Sequence, residues 1–212
     1  ILVAESAWKK YGLLGIPKRV LIRLYETAHG YWPVLRAMVK KPFAKVCPEG
    51  VVLFDTGLHT LNAGDHIIME NCLRHLRGIV DTENAVHIST HQLPDANTAC
   101  VGHPKIVCGT NILSSRMGQY GLWKLPRNLS DYHDITLMGV GFDSYNTEGD
   151  LYTKLLLHNM LAKDGYHSVR DSFAEKALRM LGIENVLNTG CPTMWCLSPE
   201  HCASIPREKG RN

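Results

Sequence analysis

Hydrophobic and polar positions change period several times along the chain, and the changes mark its elements. Val51-Val52-Leu53-Phe54 is an unbroken apolar run closed by Asp55, the pattern of a strand buried on both faces. A polar, turn-rich loop follows, and then Ile68, Cys72, Leu76 and Ile79 recur at helical spacing with Leu73 beside them. The stretch Val51–Ile79 therefore predicts strand, loop, helix. The same handover recurs downstream. Ala85–Ser89 predicts a strand and His91–His103 a long loop, and Lys105–Cys108 predicts a strand ending in Gly109-Thr110-Asn111. Asp134–Gly141 predicts a strand with its glycine turn, preceded by an irregular excursion from Ser114 to Asp131 that Trp123 pins. Leu151, Leu155, Leu156, Met160 and Leu161 predict a helix closed by Gly165 in a left-handed cap, before a strand over Tyr166–Val169. Ser172-Phe173-Ala174-Glu175 has the form of a capping box opening a helix through Leu181, stopped at Gly182. Ile183–Leu187 predicts the last short strand.

Strands alternating with helices predict an α/β fold: a Rossmann-like parallel sheet over residues 51–212, with helices on both faces. Residues 1–46 instead read as helical and amphipathic, interrupted near Gly12–Pro17, Pro33 and Pro42, with a boundary at Pro48-Glu49-Gly50. Residues 1–50 form a separate arm by this reading. It holds nine Lys and Arg against three Glu, so it carries +6 and the remainder of the chain −3. Trp8, Tyr11, Tyr25, Tyr31 and Trp32 are interleaved with those bases. Such an arm suits peripheral contact of residues 1–46 with an anionic membrane surface; it equally suits packing on its own domain or a partner with the basic face in water.

The 212 residues suffice for one good-sized core, and a net charge of +3 gives no argument for nucleic acid. Seven scattered cysteines argue for a reducing compartment rather than a disulfide scaffold. No apolar run is long enough to cross a bilayer and no signal peptide is evident, so a cytoplasmic location is expected, at the inner face of the membrane if the arm touches lipid. The chain does not begin with Met, which leads us to expect a trimmed or partial chain. The dinucleotide fingerprint, the phosphate-binding P-loop and the Gly-x-Ser-x-Gly elbow are all missing. Cys191, Cys196 and Cys202 lack the tight paired spacing of structural zinc, and His59, His66 and His75 lack the spacing of a helical metal motif. Buried or idle thiols, surface or locally bonded histidines, and no metal are the expectation.

Two places carry candidate chemistry. Asn62-Ala63-Gly64-Asp65 lies where a strand hands over to a helix: Asn62 and Asp65 can cap that helix, and Gly64 allows close backbone approach or a positive φ. Arg170 and Asp171 lie between a strand end and a helix start. There the guanidinium can hold a phosphate or carboxylate bidentately, or pair internally with Asp171 or Glu175.

His59 and Asn62-x-Gly64-Asp65 before an apolar helix, Cys108-Gly109-Thr110-Asn111, Gly139-Val140-Gly141, Ser168-Val169-Arg170-Asp171-Ser172 and Asn188-Thr189-Gly190-Cys191-Pro192-Thr193 occur in this order. In this the chain resembles the polysaccharide pyruvyl transferase family over roughly Val51–Pro206. The resemblance implies a domain like the N-terminal half of the GT-B glycosyltransferases. It also implies bacterial enzymes that transfer a pyruvyl ketal from phosphoenolpyruvate to two hydroxyls of a capsular, exopolysaccharide or cell-wall glycan. Phosphoenolpyruvate is then the donor substrate and no cofactor is implied. By position, Asp65 would bind or deprotonate a sugar hydroxyl and Arg170 hold an anionic group. Substrate contacts would fall on His59, Asn62, Gly64, Asn111, Asp171, Ser172, Asn188 and Thr189. The family's second Rossmann-like domain and its Arg-Leu-His motif do not occur in these residues, so the expectation is an N-terminal fragment, a chain completed by a complementary C-terminal domain or an oligomer, or a relic without activity. Two other readings remain: a non-catalytic module binding a sugar or nucleotide, and a GT-B-type glycosyltransferase domain.

Overall fold

The computed structural model describes residues 18–39, 50–94, 104–146 and 148–206. Helix α1 (Lys18–Val39) is followed by β1 (Val52–Asp55), α2 (Ala63–Leu76), β2 (Val86–Ser89) and β3 (Lys105–Cys108). A short α3 (Met117–Tyr120), β4 (Ile135–Met138), α4 (Leu151–Met160), β5 (His167–Val169), α5 (Ser172–Met180) and β6 (Val186–Asn188) come next. A 3₁₀ turn (Pro192–Met194) and an exposed α6 (Pro199–Ser204) complete the order.

β2-β1-β3-β4 form a parallel sheet, and β5 pairs with β6 in parallel. A parallel bridge between Val140 and Val169 joins β5 to the segment just past β4, so the strands lie in the order β2-β1-β3-β4-β5-β6. The unbroken apolar runs are buried on both sides, as two cores show. Val52 and Phe54 of β1 and Val107 of β3 pack with α1, α4 and α5, while Leu53, Ile106 and Cys108 pack with Met69, Cys72 and Leu76 of α2. The Rossmann-like parallel sheet with helices on both faces is thus the observed fold. Phe54 also meets Trp123 edge-on at 5.2 Å, which pins the irregular excursion onto the first core.

Four local expectations are corrected. α1 runs through Pro33, although proline removes a ladder hydrogen bond; Val34 and Ala37 are buried in the core, and Tyr31 packs edge-on against Tyr152 of α4, so tertiary contacts hold the helix across it. α4 stops at Met160, well before Gly165, because the Ala162 N–H donates to the Ile135 carbonyl and draws the chain to the sheet. The Ser172–Glu175 pattern is not a capping box. Asp171 is the N-cap, its carboxylate accepting the Ala174 N–H at 2.7 Å, and Glu175 pairs with Arg179 instead. The last strand begins at Val186, since the Ile183 N–H closes the end of α5 on Leu178.

The outer side of α1 leaves Leu24, Trp32, Leu35 and Met38 exposed. Among the described residues no helix is long and apolar enough to cross a membrane. The basic and aromatic positions before Lys18, the breaks expected near Gly12–Pro17 and Pro42, most of the Pro48–Gly50 boundary and the end of the His91–His103 loop lie outside the described residues.

His167 at the start of β5 is 1% exposed and bonded as a neutral ring. Its Nε2–H donates to the Ala162 carbonyl at 2.9 Å, and Nδ1 accepts the Leu137 N–H at 3.3 Å. Burial lowers its pKa below the ordinary 6.5. The unfolded chain therefore binds the proton more readily, and this contribution, present above about pH 6.5, is lost as pH falls through the lowered folded value. Urea midpoints should drop between pH 7 and 5 more steeply for the native chain than for His167→Gln; equal slopes would show that His167 titrates as in the unfolded chain.

Candidate functional site

Strand order reverses at β1. The chain moves from β1 to β2 on one side and then crosses back to β3 on the other, and in open parallel sheets the crevice beyond such a switch point is where ligands bind. The loops at this edge are tied by specific bonds. Thr56 Oγ1 donates to the Cys108 carbonyl at 2.9 Å, joining the ends of β1 and β3. Gly109, at φ +70°, has no room for a side chain: a Cβ there would lie 2.1 Å from Ile68 Cγ2 of α2.

Asp65 sits in the first turn of α2 with 4% exposure. One carboxylate oxygen accepts from Thr110 Oγ1 at 2.7 Å, and the other accepts from Thr60 Oγ1 at 3.1 Å with His91 Nε2 at 3.6 Å. Thr110 holds φ +55°, a left-handed conformation that costs a non-glycine residue of the order of 1 kcal/mol. The buried carboxylate therefore latches the loop after β3 to the start of α2.

The latch sets the next residue, Asn111. Its Oδ1 is buried and meets no hydrogen-bond partner among the described residues. Gly141 follows β4, and a Cβ there would lie 2.3 Å from Asn111 Oδ1 and 2.7 Å from Arg170 Nε. A glycine at 141 is what leaves room for both side chains over the strand ends. Arg170 Nε stands 3.5 Å from Asp171 Oδ2, so the internal ion pair exists, yet the arginine side chain remains 31% exposed. Asp171 is already engaged as the N-cap of α5.

Asn111, Gly141, Arg170 and Asp171 thus converge past β3, β4 and β5. Ser172, the first helical residue of α5, is exposed beside them. Thr189 reaches the same edge through Ser168: its hydroxyl bonds Ser168 Oγ, which accepts the Gly139 N–H at 2.9 Å. Asn188 turns its Oδ1 to the Gly190 N–H. Gly139 takes φ +65° where a Cβ would strike Pro192, which accounts for the first glycine of Gly139-x-Gly141.

The other candidates lie toward β1 and β2. Asn62 caps α2 by accepting the Gly64 N–H at 3.0 Å, and Gly64 is helical without a positive φ. His59, at φ +60°, lines a cleft with His87. His87 Nδ1 lies 2.6 Å from Oδ2 of Asp55, a carboxylate whose side chain is 8% exposed. His66 bonds the Thr60 carbonyl; His75 bonds the Pro192 carbonyl and packs against Trp195. Asn62 and Gly64 stand at the start of α2, which the Asp65–Thr110 bond ties to the loop carrying Asn111.

Sequence reading did not single out Asp55, His87, His91 or Thr110. A charged residue closing an apolar strand was the available signal for Asp55; the histidine pairings depend on β1–β2 register and loop path. Cys72 and Cys108 are buried side by side, and their mutual hydrogen bond together with burial pushes the Cys108 thiol well up, so it stays protonated and inert. Among the described residues no group of three or more His, Cys, Asp or Glu is placed to hold a metal ion.

Comparison with known proteins bears on this same edge. The family model described as polysaccharide pyruvyl transferase matches residues 62–212, a span that starts at the N-cap of α2 and includes Asp65, Thr110, Asn111, Gly141 and Arg170. No curated protein and no solved structure matches the chain.

The latch makes a quantitative prediction. Asp65→Asn and Thr110→Val should each destabilise by about 1–3 kcal/mol, since each leaves a buried polar partner unsatisfied. The double variant should fall short of the sum by about 1 kcal/mol in urea unfolding. Strict additivity would show that the two side chains do not act together.

Proposed function

The chain belongs to the polysaccharide pyruvyl transferase family, and on that premise we propose that it acts in transfer of a pyruvyl ketal from phosphoenolpyruvate to a sugar diol. The observation that supports this most directly is Arg170, lodged beside Gly141 and Asn111 within the matched residues. In the reaction a proton adds to the methylene carbon of the donor, and a sugar hydroxyl attacks the oxocarbenium-like carbon beside it. A second hydroxyl then displaces inorganic phosphate. Both hydroxyl protons leave, which offsets the proton gained at carbon and leaves one for the base or the phosphate.

This chemistry requires fixed cationic donors for the phosphate and carboxylate of the donor. Arg170 supplies a planar, always charged fork, and the first N–H groups of α5 add a weaker attraction for an anion. Asn111 Oδ1, which meets no hydrogen-bond partner among the described residues, suits a hydroxyl donor from the sugar. Asp65 has both oxygens engaged by Thr60 and Thr110 and serves this reading as the residue that positions the Thr110–Asn111 loop. The acceptor belongs to the chemical class of surface glycans, with no particular sugar specified by these contacts.

Calorimetric titration with phosphoenolpyruvate tests the reading. Saturable binding is expected for the native chain. Arg170→Ala should weaken it by roughly 30–150-fold, the worth of about 2–3 kcal/mol of charge-assisted hydrogen bonding. Gly141→Ala should also weaken it while leaving the far-ultraviolet spectrum unchanged, because its methyl collides with side-chain atoms of Asn111 and Arg170. Absence of donor binding by the folded native chain, or full binding by both variants, would remove the donor assignment; binding of a nucleotide sugar instead would favour the glycosyltransferase reading.

A further inference from the structure

A second polar station lies at the outer end of the same sheet edge, apart from the residues assigned to the donor. Leu58, His59, His87, Ser89, Gln92 and Leu93 line most of a cleft of about 190 Å³ beyond the carboxyl ends of β1 and β2. Asp55 stands behind it, 6% exposed, its carboxylate fixed by the Gly57 N–H at 2.7 Å and by His87 Nδ1 at 2.6 Å. With Nδ1–H donating to the carboxylate, Nε2 is the ring's remaining polar atom, and it meets no partner among the described residues. Asp55 thus orients a ring whose Nε2 can bond a hydroxyl, with 31% of the His87 side chain open to solvent.

The lining selects the ligand class. Among the described residues no Lys or Arg lines the cleft, and the carboxylate behind His87 disfavours an anion. Phosphoenolpyruvate is thus a poor fit here. A neutral hydroxylated ring matches all three parts of the lining: a hydroxyl donates to His87 Nε2, another bonds the Gln92 amide, and the apolar face of the ring lies on Leu58 and Leu93.

Distance decides how this station relates to Arg170. β2 is the outermost strand of the order β2-β1-β3-β4, so it stands three strand spacings from the strand that leads into Gly141, about 14 Å. A single sugar ring does not span that gap. We propose that the cleft is a neutral-sugar subsite holding a unit of the acceptor glycan adjoining the unit that receives the pyruvyl group, so that the chain reads at least two linked sugars. The assignment of the ligand to an acceptor glycan rests on the pyruvyl transferase reading above.

Nitrogen-15 imidazole spectra of the full chain give the test, with methyl β-D-glucopyranoside, methyl β-D-galactopyranoside and methyl α-D-mannopyranoside as single-unit probes and cellobiose and lactose as two-unit probes. In the free chain His87 should be protonated at Nδ1, and its Nε2 resonance should shift saturably with at least one probe. A two-unit probe should bind about tenfold more tightly than its single-unit counterpart. Gln92→Ala, which leaves the Asp55–His87 pair in place, should weaken the affinity read from that shift about fivefold, and His87→Gln should weaken calorimetric binding of the same probe at least as much. Phosphoenolpyruvate added to the same samples reports on the donor station separately. Donor binding with a silent His87 across all five sugars overturns the subsite and leaves the donor reading standing; a responsive His87 without donor binding supports the subsite and counts against the donor reading. Equal affinity for one- and two-unit probes overturns the claim that two sugars are read.

Discussion

Parallel strands are joined by crossovers of one hand, and that constraint places everything else in this fold. From β1 the chain turns one way to reach β2, which puts α2 on one face of the sheet. From β3 onward it steps the other way through β4, β5 and β6, and the same handedness puts α4 and α5 on the opposite face. Each face of β1 is then covered by a different set of helices, with Phe54 in one core and Leu53 in the other. The two progressions part between β1 and β3. The loops that leave the strand ends there build a polar edge.

An edge made of loops is useful only if the loops are held, and Asp65 is the device that holds them. Burying a carboxylate without partners would cost several kcal/mol. Here Thr60, Thr110 and His91 surround it, drawn from the loop after β1, the loop after β3 and the segment after β2. The bond to Thr110 also keeps that residue in a left-handed backbone conformation, and Gly109 lets α2 close against the same loop. Helix packing, backbone strain and one buried charge therefore converge on Thr110, and Asn111 inherits a fixed position from them. Fixing polar groups before a ligand arrives is what an active site needs, since they then cost little reorganisation when charge develops.

The parts visible in the sequence are those governed by local periodicity. Apolar runs such as Val51–Phe54 and Lys105–Cys108 announced buried parallel strands, and glycines at strand ends marked the turns that shape the edge. Caps were less legible. Asp171 and Ser172 are both good N-cap residues one position apart, and only the path of the chain out of β5 selects Asp171. Pro33 read as a break because proline costs a lone helix a hydrogen bond, whereas in the fold the burial of Val34 and Ala37 outweighs that loss. Pairings between distant loops were beyond reach for a different reason. Asp55 meets His87 through the β1–β2 register, and Arg170 and Asn111 both reach Gly141 through the order of β3, β4 and β5; neither register nor strand order is written in the spacing of residues along one chain.

The polar edge is also sorted by charge, and the sorting is short-ranged. Toward β1 and β2 stand two buried carboxylates, each with a histidine neighbour, while Arg170 stands beyond β4. Across about 14 Å, two unit charges at an effective dielectric constant near 20 interact by only about 1 kcal/mol, and salt at physiological strength reduces it further over more than one Debye length. Long-range repulsion from Asp55 is thus too weak to direct an anion along the edge. Direct contact decides instead: a guanidinium offers several charged donors within hydrogen-bond reach, and the described lining of the β2 cleft offers none of that kind. An anionic donor and a neutral sugar would consequently separate by what each can bond at close range, on one continuous edge and without any moving part.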